Sequence, residues 1–235
     1  MMKKTVQGLM ALTVLLLSTG AAQARDFKFD VFALGGASTL VDAGYFTSAG
    51  RQYHSRFDLG PKFTLGVAVP YGKLLSIETA YSYGPNNFIV TNTNVFPHVG
   101  VQYPVRDYIG SLSAVVHAPF SLFHLRPYAA GGVEYDRFSP TPAAITIAKK
   151  QGFAAVSTAS INHNNKIGFN LGGGLDRKIM KRVTLRVDLR DHITSSPAFG
   201  LPREPNQDSN ASFPVTWRAH NIEYTAGIVF HLGKQ

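Results

Sequence analysis

Arg186, Asp188, Arg190 and His192 occupy alternate positions of one stretch, and Val183, Leu185, Val187 and Leu189 belong to the opposite parity. In an extended chain this period of two puts the ionisable groups on one face and the aliphatic groups on the other. Charges held away from water must be paired or hydrogen-bonded, and buried ionisable groups also mark proton and ion pathways. Two chemistries therefore compete for this face, a salt-bridged plug and a proton or ion relay. The interleaving of both signs on one strand favours the plug. Metal and thiol chemistry find no such pattern. The eight histidines are scattered, with none spaced as a metal pair, and there is no cysteine. That excludes disulfides, cysteine-ligated zinc or iron–sulfur centres, a thiol nucleophile and a lipid-modified cysteine. No catalytic residue, metal ligand or cofactor is assigned.

The elements that must position this face begin after a removable leader. Lys3 and Lys4 form a basic start, Leu9 to Leu17 an apolar run, and Ala22-Gln23-Ala24 a small-x-small cleavage site. Residues 1–24 read as a secretory signal peptide, too short in its apolar run to span a bilayer as a helix. Residues 25–235 then form one domain. Taking the leader's two lysines from a formal net charge of +9 leaves +7, so the exported chain stays basic. With 45% hydrophobic and 16% charged residues and a mean hydropathy near zero, the chain is poor in charge for a soluble domain.

Eight extended segments follow: Asp26–Gly36, Asp58–Val69, Lys73–Tyr83, Asp107–Pro119, Leu125–Phe138, Lys166–Lys178, Val183–Ile193 and His220–Gly233. Each is about the 9–11 residues that a tilted strand needs to cross a bilayer. Short connections at Pro70-Tyr71-Gly72, Phe120–His124 and Ile179–Arg182 alternate with long ones at Ala37–Phe57, Gly84–Arg106, Ser139–Asn165 and Thr194–Ala219. The long ones are rich in Ser, Thr, Asn, Pro and Gly. This layout predicts an all-β fold, an eight-stranded antiparallel up-and-down transmembrane β-barrel with short periplasmic turns and four long extracellular loops.

Parity says which face looks inward. Phe63, Leu65, Val67 and Val69, with Ile167, Phe169, Leu171 and Leu175, alternate with Thr64, Gly66 and Ala68 and with Gly168, Asn170, Gly172, Gly174 and Asp176. A membrane barrel turns the apolar set to lipid and fills its narrow interior with the small and polar set. Tyr81, Tyr83, Tyr108, Tyr135, Phe169 and Tyr224 fall on the apolar parity near the loop ends, as an interfacial girdle would. Phe27, Phe29 and Phe230 would form part of the lower one.

The chain resembles the small eight-stranded outer-membrane β-barrels of Gram-negative bacteria, the group containing the transmembrane domain of outer membrane protein A. The resemblance rests on Leu125-Arg126-Pro127-Tyr128-Ala129-Ala130-Gly131-Gly132-Val133, on Gly168-Phe169-Asn170-Leu171-Gly172-Gly173-Gly174-Leu175, and on Gly227-Ile228-Val229-Phe230-His231-Leu232. It implies insertion into the cell outer membrane by the barrel-assembly machinery, with outer-membrane lipid and lipopolysaccharide as neighbours. The chain departs from the family by ending on Gly233-Lys234-Gln235 without the terminal aromatic of assembly signals, and no peptidoglycan-binding domain is expected after the last strand.

Within such a barrel the inward ionisable set is Glu78, Arg126, Glu134, Asp176, Arg186, Asp188, Arg190 and Glu223, with Asp30 and Lys28 as additions. It is expected to form the charge network that plugs the lumen, leaving no wide pore. Some small outer-membrane barrels that resemble this chain are enzymes: lipid A deacylases, lipid A palmitoyltransferases and omptin proteases. His192-Ile193-Thr194-Ser195 is similar to the deacylase His-x-Ser arrangement, in which an imidazole activates a hydroxyl. Thr194 replaces the serine, however, and His192 lies on the inward parity where the deacylase pair faces lipid. Asp191 and Glu223 are the carboxylates near enough in sequence or parity to orient it. A rim histidine in a polar network is the preferred reading.

The positive charge has a similar weighing. The basic residues are dispersed and the chain is exported, which argues against nucleic acid and for lipopolysaccharide phosphates. Arg51, His54 and Arg56 in the first loop, with Arg203 and Arg218 in the last, are the candidate contacts. Lys149-Lys150 sits in an apolar third-loop segment that reads as either a short helix or a hairpin. The functional expectation is a non-enzymatic structural or surface-interaction protein whose loops face outward, with no extracellular partner named. The alternative is a narrow porin-like channel for small solutes, and a lipid A-modifying enzyme stands behind both.

Overall fold

The computed structural model describes residues 28–41, 45–48, 51–92, 100–150, 164–195, 197, 211–212 and 218–233. The expected signal peptide lies outside the described residues. In chain order the elements are β1 (Phe29–Val41), β2 (Tyr45–Ser48), β3 (Arg51–Phe57), β4 (Gly60–Tyr71), β5 (Leu75–Asn92), β6 (Gly100–His117), β7 (Arg126–Pro140), α1 (Pro142–Lys150), β8 (Asn164–Met180), β9 (Val183–Ser195), β10 (Ala211–Ser212) and β11 (Arg218–Leu232). Among the described residues no helix is long and apolar enough to cross a membrane.

All eight expected segments are strands, and they close on themselves. Antiparallel ladders run β1–β4–β5–β6–β7–β8–β9–β11, and β11 returns to β1 from Phe29↔Leu232 to Val41↔His220. Closure gives each of these eight strands a partner on both sides, which is what a sheet in lipid requires. Exposure follows parity around the wall. Phe63, Leu65, Leu112, Val133, Phe169, Leu171, Val187 and Leu189 point out, while Thr64, Ser113, Glu134, Asn170, Asp188 and Thr225 are buried inside. The aromatic girdle forms across strands: the Tyr108 ring lies 5.3 Å from that of Tyr83 and 6.5 Å from that of Tyr81.

The long connections hold more regular structure than expected. Gly84–Arg106 is mostly the continuation of β5 and β6, paired without a break as far as Thr91↔Gly100. Eighteen residues of β5 extend about 60 Å at roughly 3.3 Å each, well beyond a bilayer's hydrocarbon core. The polar run Pro85-Asn86-Asn87 suggests a loop by composition, but continuous pairing satisfies its backbone, and Phe88 and Ile89 beyond it are buried. The first long connection likewise carries the end of β1 with β2 and β3, and β3 pairs with the upper part of β5.

The third-loop segment is a helix as far as Lys150, where the described residues stop. Pro142 begins α1 at a position where its missing N–H costs nothing, and the Thr141 hydroxyl accepts from the Ala144 N–H at 3.3 Å. Ala144 is buried, and α1 packs against β6 and β7. Beside this outer end, Phe57 stacks 5.1 Å from Phe88 and 6.0 Å from Phe138, forming an apolar cap.

Candidate functional site

The interior of the barrel divides into a lower charge layer, nearer the short turns, and an upper one. Arg186 anchors the lower layer. From β9 it donates to Asp176 on β8 through Nε at 2.9 Å and Nη2 at 3.0 Å, and to Glu78 on β5 through Nη1 at 2.8 Å. Arg190, two steps of the strand period above, donates to the other Glu78 oxygen at 2.9 Å and to Asp188 at 2.9 Å. Asp188 also accepts from the Tyr128 hydroxyl. The ring of Tyr128 in turn lies beneath the Arg186 guanidinium, and Phe32 lies on another side of it at 5.6 Å. Two arginines and three carboxylates thus satisfy one another across the lumen, as charges withdrawn from water must.

The inner side of the wall is shaped to hold these rings. A Cβ on Gly66 would fall 2.2 Å from Phe32 Cζ, and one on Gly174 would fall 2.5 Å from the Tyr128 hydroxyl. Phe32 packs with Leu34, Ala68 and Val229 into a small apolar cluster inside the lower half. The interior is therefore not purely small and polar, since aromatic and aliphatic groups fill the space beside the ions.

The upper layer centres on His192 and Lys62. His192 Nδ1 lies 2.6 Å from Glu134, and Nε2 lies 3.3 Å from Glu223 without hydrogen-bond geometry. Lys62, fully buried, donates to Asp107 at 2.7 Å and lies 3.9 Å from Glu223. Thr64 donates to Glu223 at 2.7 Å, and the Asn221 amide donates to Asp107 at 2.9 Å. Asp136 is also fully buried beside this group, and neither of its carboxyl oxygens has a hydrogen-bond partner among the described residues. Four carboxylates here face one lysine and one imidazole, so this layer has an excess of acid.

Most of the inward set read from sequence lies in these two layers, with three exceptions. Arg126 sits at the turn end, donating to the backbone carbonyls of Ala118 at 3.0 Å and Lys73 at 2.7 Å instead of joining an ion pair. Asp30 lies 2.7 Å from His231, whose other ring nitrogen lies 2.8 Å from Thr184. Lys28 is exposed just ahead of β1. Lys62, Asp107 and Asp136 were missed. Each sits at or beyond the end of an expected apolar alternation, although Lys62 shares the parity of Thr64 and Asp136 that of Glu134.

The deacylase-like arrangement is not assembled. His192 is enclosed between two carboxylates, and Thr194 Oγ1 has no hydrogen-bond partner among the described residues. Asp191 faces away from His192 and pairs with His220 at 2.7 Å. No cluster of three or more metal-ligating side chains occurs among the described residues.

Of the candidate lipopolysaccharide contacts, Arg56 and Arg218 are exposed at the loop end. Arg51 opens β3 with its side chain outside the described residues, and Arg203 lies outside them entirely. His54 is partly exposed on β3.

No family model matches the chain, and no curated protein sequence matches it. Solved structures do. The outer membrane protein OprG from Pseudomonas aeruginosa superposes with a TM-score of 0.57 at 12% identity, over 89% of this chain and 98% of that one. The chain has the fold of a small outer-membrane β-barrel. Neisserial surface protein A is also similar, with a TM-score of 0.48 at 14% identity over 86% of this chain and 96% of that one. At these identities the likeness extends to the barrel architecture and not to any role of the loops or lumen.

Proposed function

We propose that this barrel is a non-enzymatic outer-membrane protein with a sealed lumen, whose work is done by the wall and the outward loops. The observation that carries this reading is Glu78, whose two carboxyl oxygens are held by Arg186 and Arg190 across the interior. Neither arginine can leave without stranding a buried charge, so the lower layer is a fixed barrier and not a row of mobile sites. The apolar cap around Phe57, Phe88 and Phe138 adds a second closure at the outer end. The exposure of Arg56 and Arg218 at the loop end supports contact with lipopolysaccharide phosphates.

A narrow channel is the second reading. It draws on the upper layer, where oxygens of Asp107, Glu134, Asp136 and Glu223 lack hydrogen-bond partners among the described residues and offer polar walls to a small solute. Planar-bilayer conductance at neutral pH separates the two. The sealed reading expects no stable open-channel current, and Glu78→Gln with Arg186→Gln should raise leak by loosening the barrier. Persistent porin-sized steps from the unaltered protein would overturn it.

A further inference from the structure

Below the lower charge layer the lumen widens into a cavity of about 490 Å³ at the turn end. Lys73, Arg126, Lys178 and Arg186 line it, against Asp30 and Asp176 alone. Both acids are already engaged. Asp176 is held twice by Arg186 and lies 3.1 Å from His117 Nε2, and Asp30 is held by His231. Lys73, Arg126 and Lys178 have no carboxylate within ion-pair distance among the described residues. The two Arg126 bonds to backbone carbonyls hold this guanidinium at the mouth without neutralising it. A concave space of this size, with a held guanidinium and two exposed lysines on its lining, suits a compact anionic ligand.

The adjoining turn supports the same reading. Leu122 and Leu125 bridge to each other around Phe123 and His124, which have φ of 51° and 64°. A two-residue turn of that kind normally takes Asn-Gly, because ordinary side chains are strained in the left-handed region. Here the strain is accepted, and His124 is thereby placed among the cavity-lining residues. The wall residues that line the cavity, Ser76, His117, Asp176 and Thr184 among them, share the inward parity, so it opens along the barrel axis and not toward lipid.

We infer that this turn-end cavity is a binding site for a small, multiply charged soluble oxyanion, a phosphate ester or polycarboxylate taken from the compartment the short turns face. The inference does not depend on the role of the loops. Calorimetric titration of the full chain, folded in a non-ionic maltoside detergent, tests it with pyrophosphate and citrate as probes. At least one probe should saturate a single site. Lys73→Gln with Lys178→Gln should weaken that binding at least tenfold, while Lys181→Gln with Arg182→Gln should change it less than twofold. The second pair removes the same charge from a turn beside the cavity without lining it. Absence of saturable binding for either probe, or equal weakening by the two pairs, would overturn the site.

Discussion

Arg186 lies over the face of Tyr128, with its Cζ 4.7 Å from the ring centroid. Ring and hydroxyl therefore serve different partners, since the hydroxyl donates to Asp188. Tyr128→Phe keeps the cation on the ring and removes one hydrogen bond to a carboxylate, for an expected loss of about 1.5–3 kcal/mol. Tyr128→Leu removes both and should cost more. Urea-dependent unfolding from lipid vesicles measures the difference, and equal losses would mean that the ring contact contributes nothing.

Asp188 is held by Arg190 and not by Arg186, although it lies between them on β9. Asp188→Leu should destabilise the barrel by leaving Arg190 short of an acid, by about 3–5 kcal/mol. Adding Arg190→Leu should recover part of that loss, whereas adding Arg186→Leu should deepen it, because Arg186 then strands Asp176 and Glu78. A double-mutant cycle on both pairs reads the coupling directly.

On the other face of the same strand, Val187 is 56% exposed. Val187→Arg is expected to cost about 2–4 kcal/mol, the penalty for a charge on the lipid face near mid-membrane. Val187→Leu should be nearly silent. A harmless arginine there, in the same vesicle assay, would invert the two faces.

Gly66 and Phe32 should behave as a pair. The Cβ in Gly66→Ala meets the Phe32 ring, so the ring must shift within a packed lumen, at an expected cost of about 1–3 kcal/mol. Combining it with Phe32→Leu should cost less than the sum of the two single changes. Strict additivity would show that the ring has room to move.

The wall of the barrel was legible in the sequence because a period of two survives wherever one face meets lipid and the other does not. Val183 to Arg190 shows it without interruption, and both faces lie where that alternation puts them. The upward extension of β5 was hidden for the same reason in reverse. Beyond the bilayer both faces meet polar surroundings or other loops, so Asn86 and Asn87 carry no alternation although the ladder continues through them. Parity also brought Glu78, Arg186 and Arg190 to one interior, but it could not assign partners. Glu78 and Arg186 are 108 residues apart, and only the circular order of strands sets them at one height. Phe32 and Val229 were obscured differently, since an inward aromatic or valine looks in sequence like a break in the pattern and becomes meaningful only beside Gly66.

The return of β11 to β1 has a consequence for how the protein assembles. Asp30 and His231 are 201 residues apart and yet touch, and every rung of that ladder joins the two ends of the described fold. Loop closure over so long a chain is an entropic barrier that no local pairing offsets in advance. Until that last seam zips, Glu223 reaches His192 on the neighbouring β9 but cannot approach Lys62 on β4, which keeps Asp107 alone. Barrel closure and the meeting of Lys62 with Glu223 are thus a single late event, which makes the transition cooperative and gives a half-formed sheet little reason to persist.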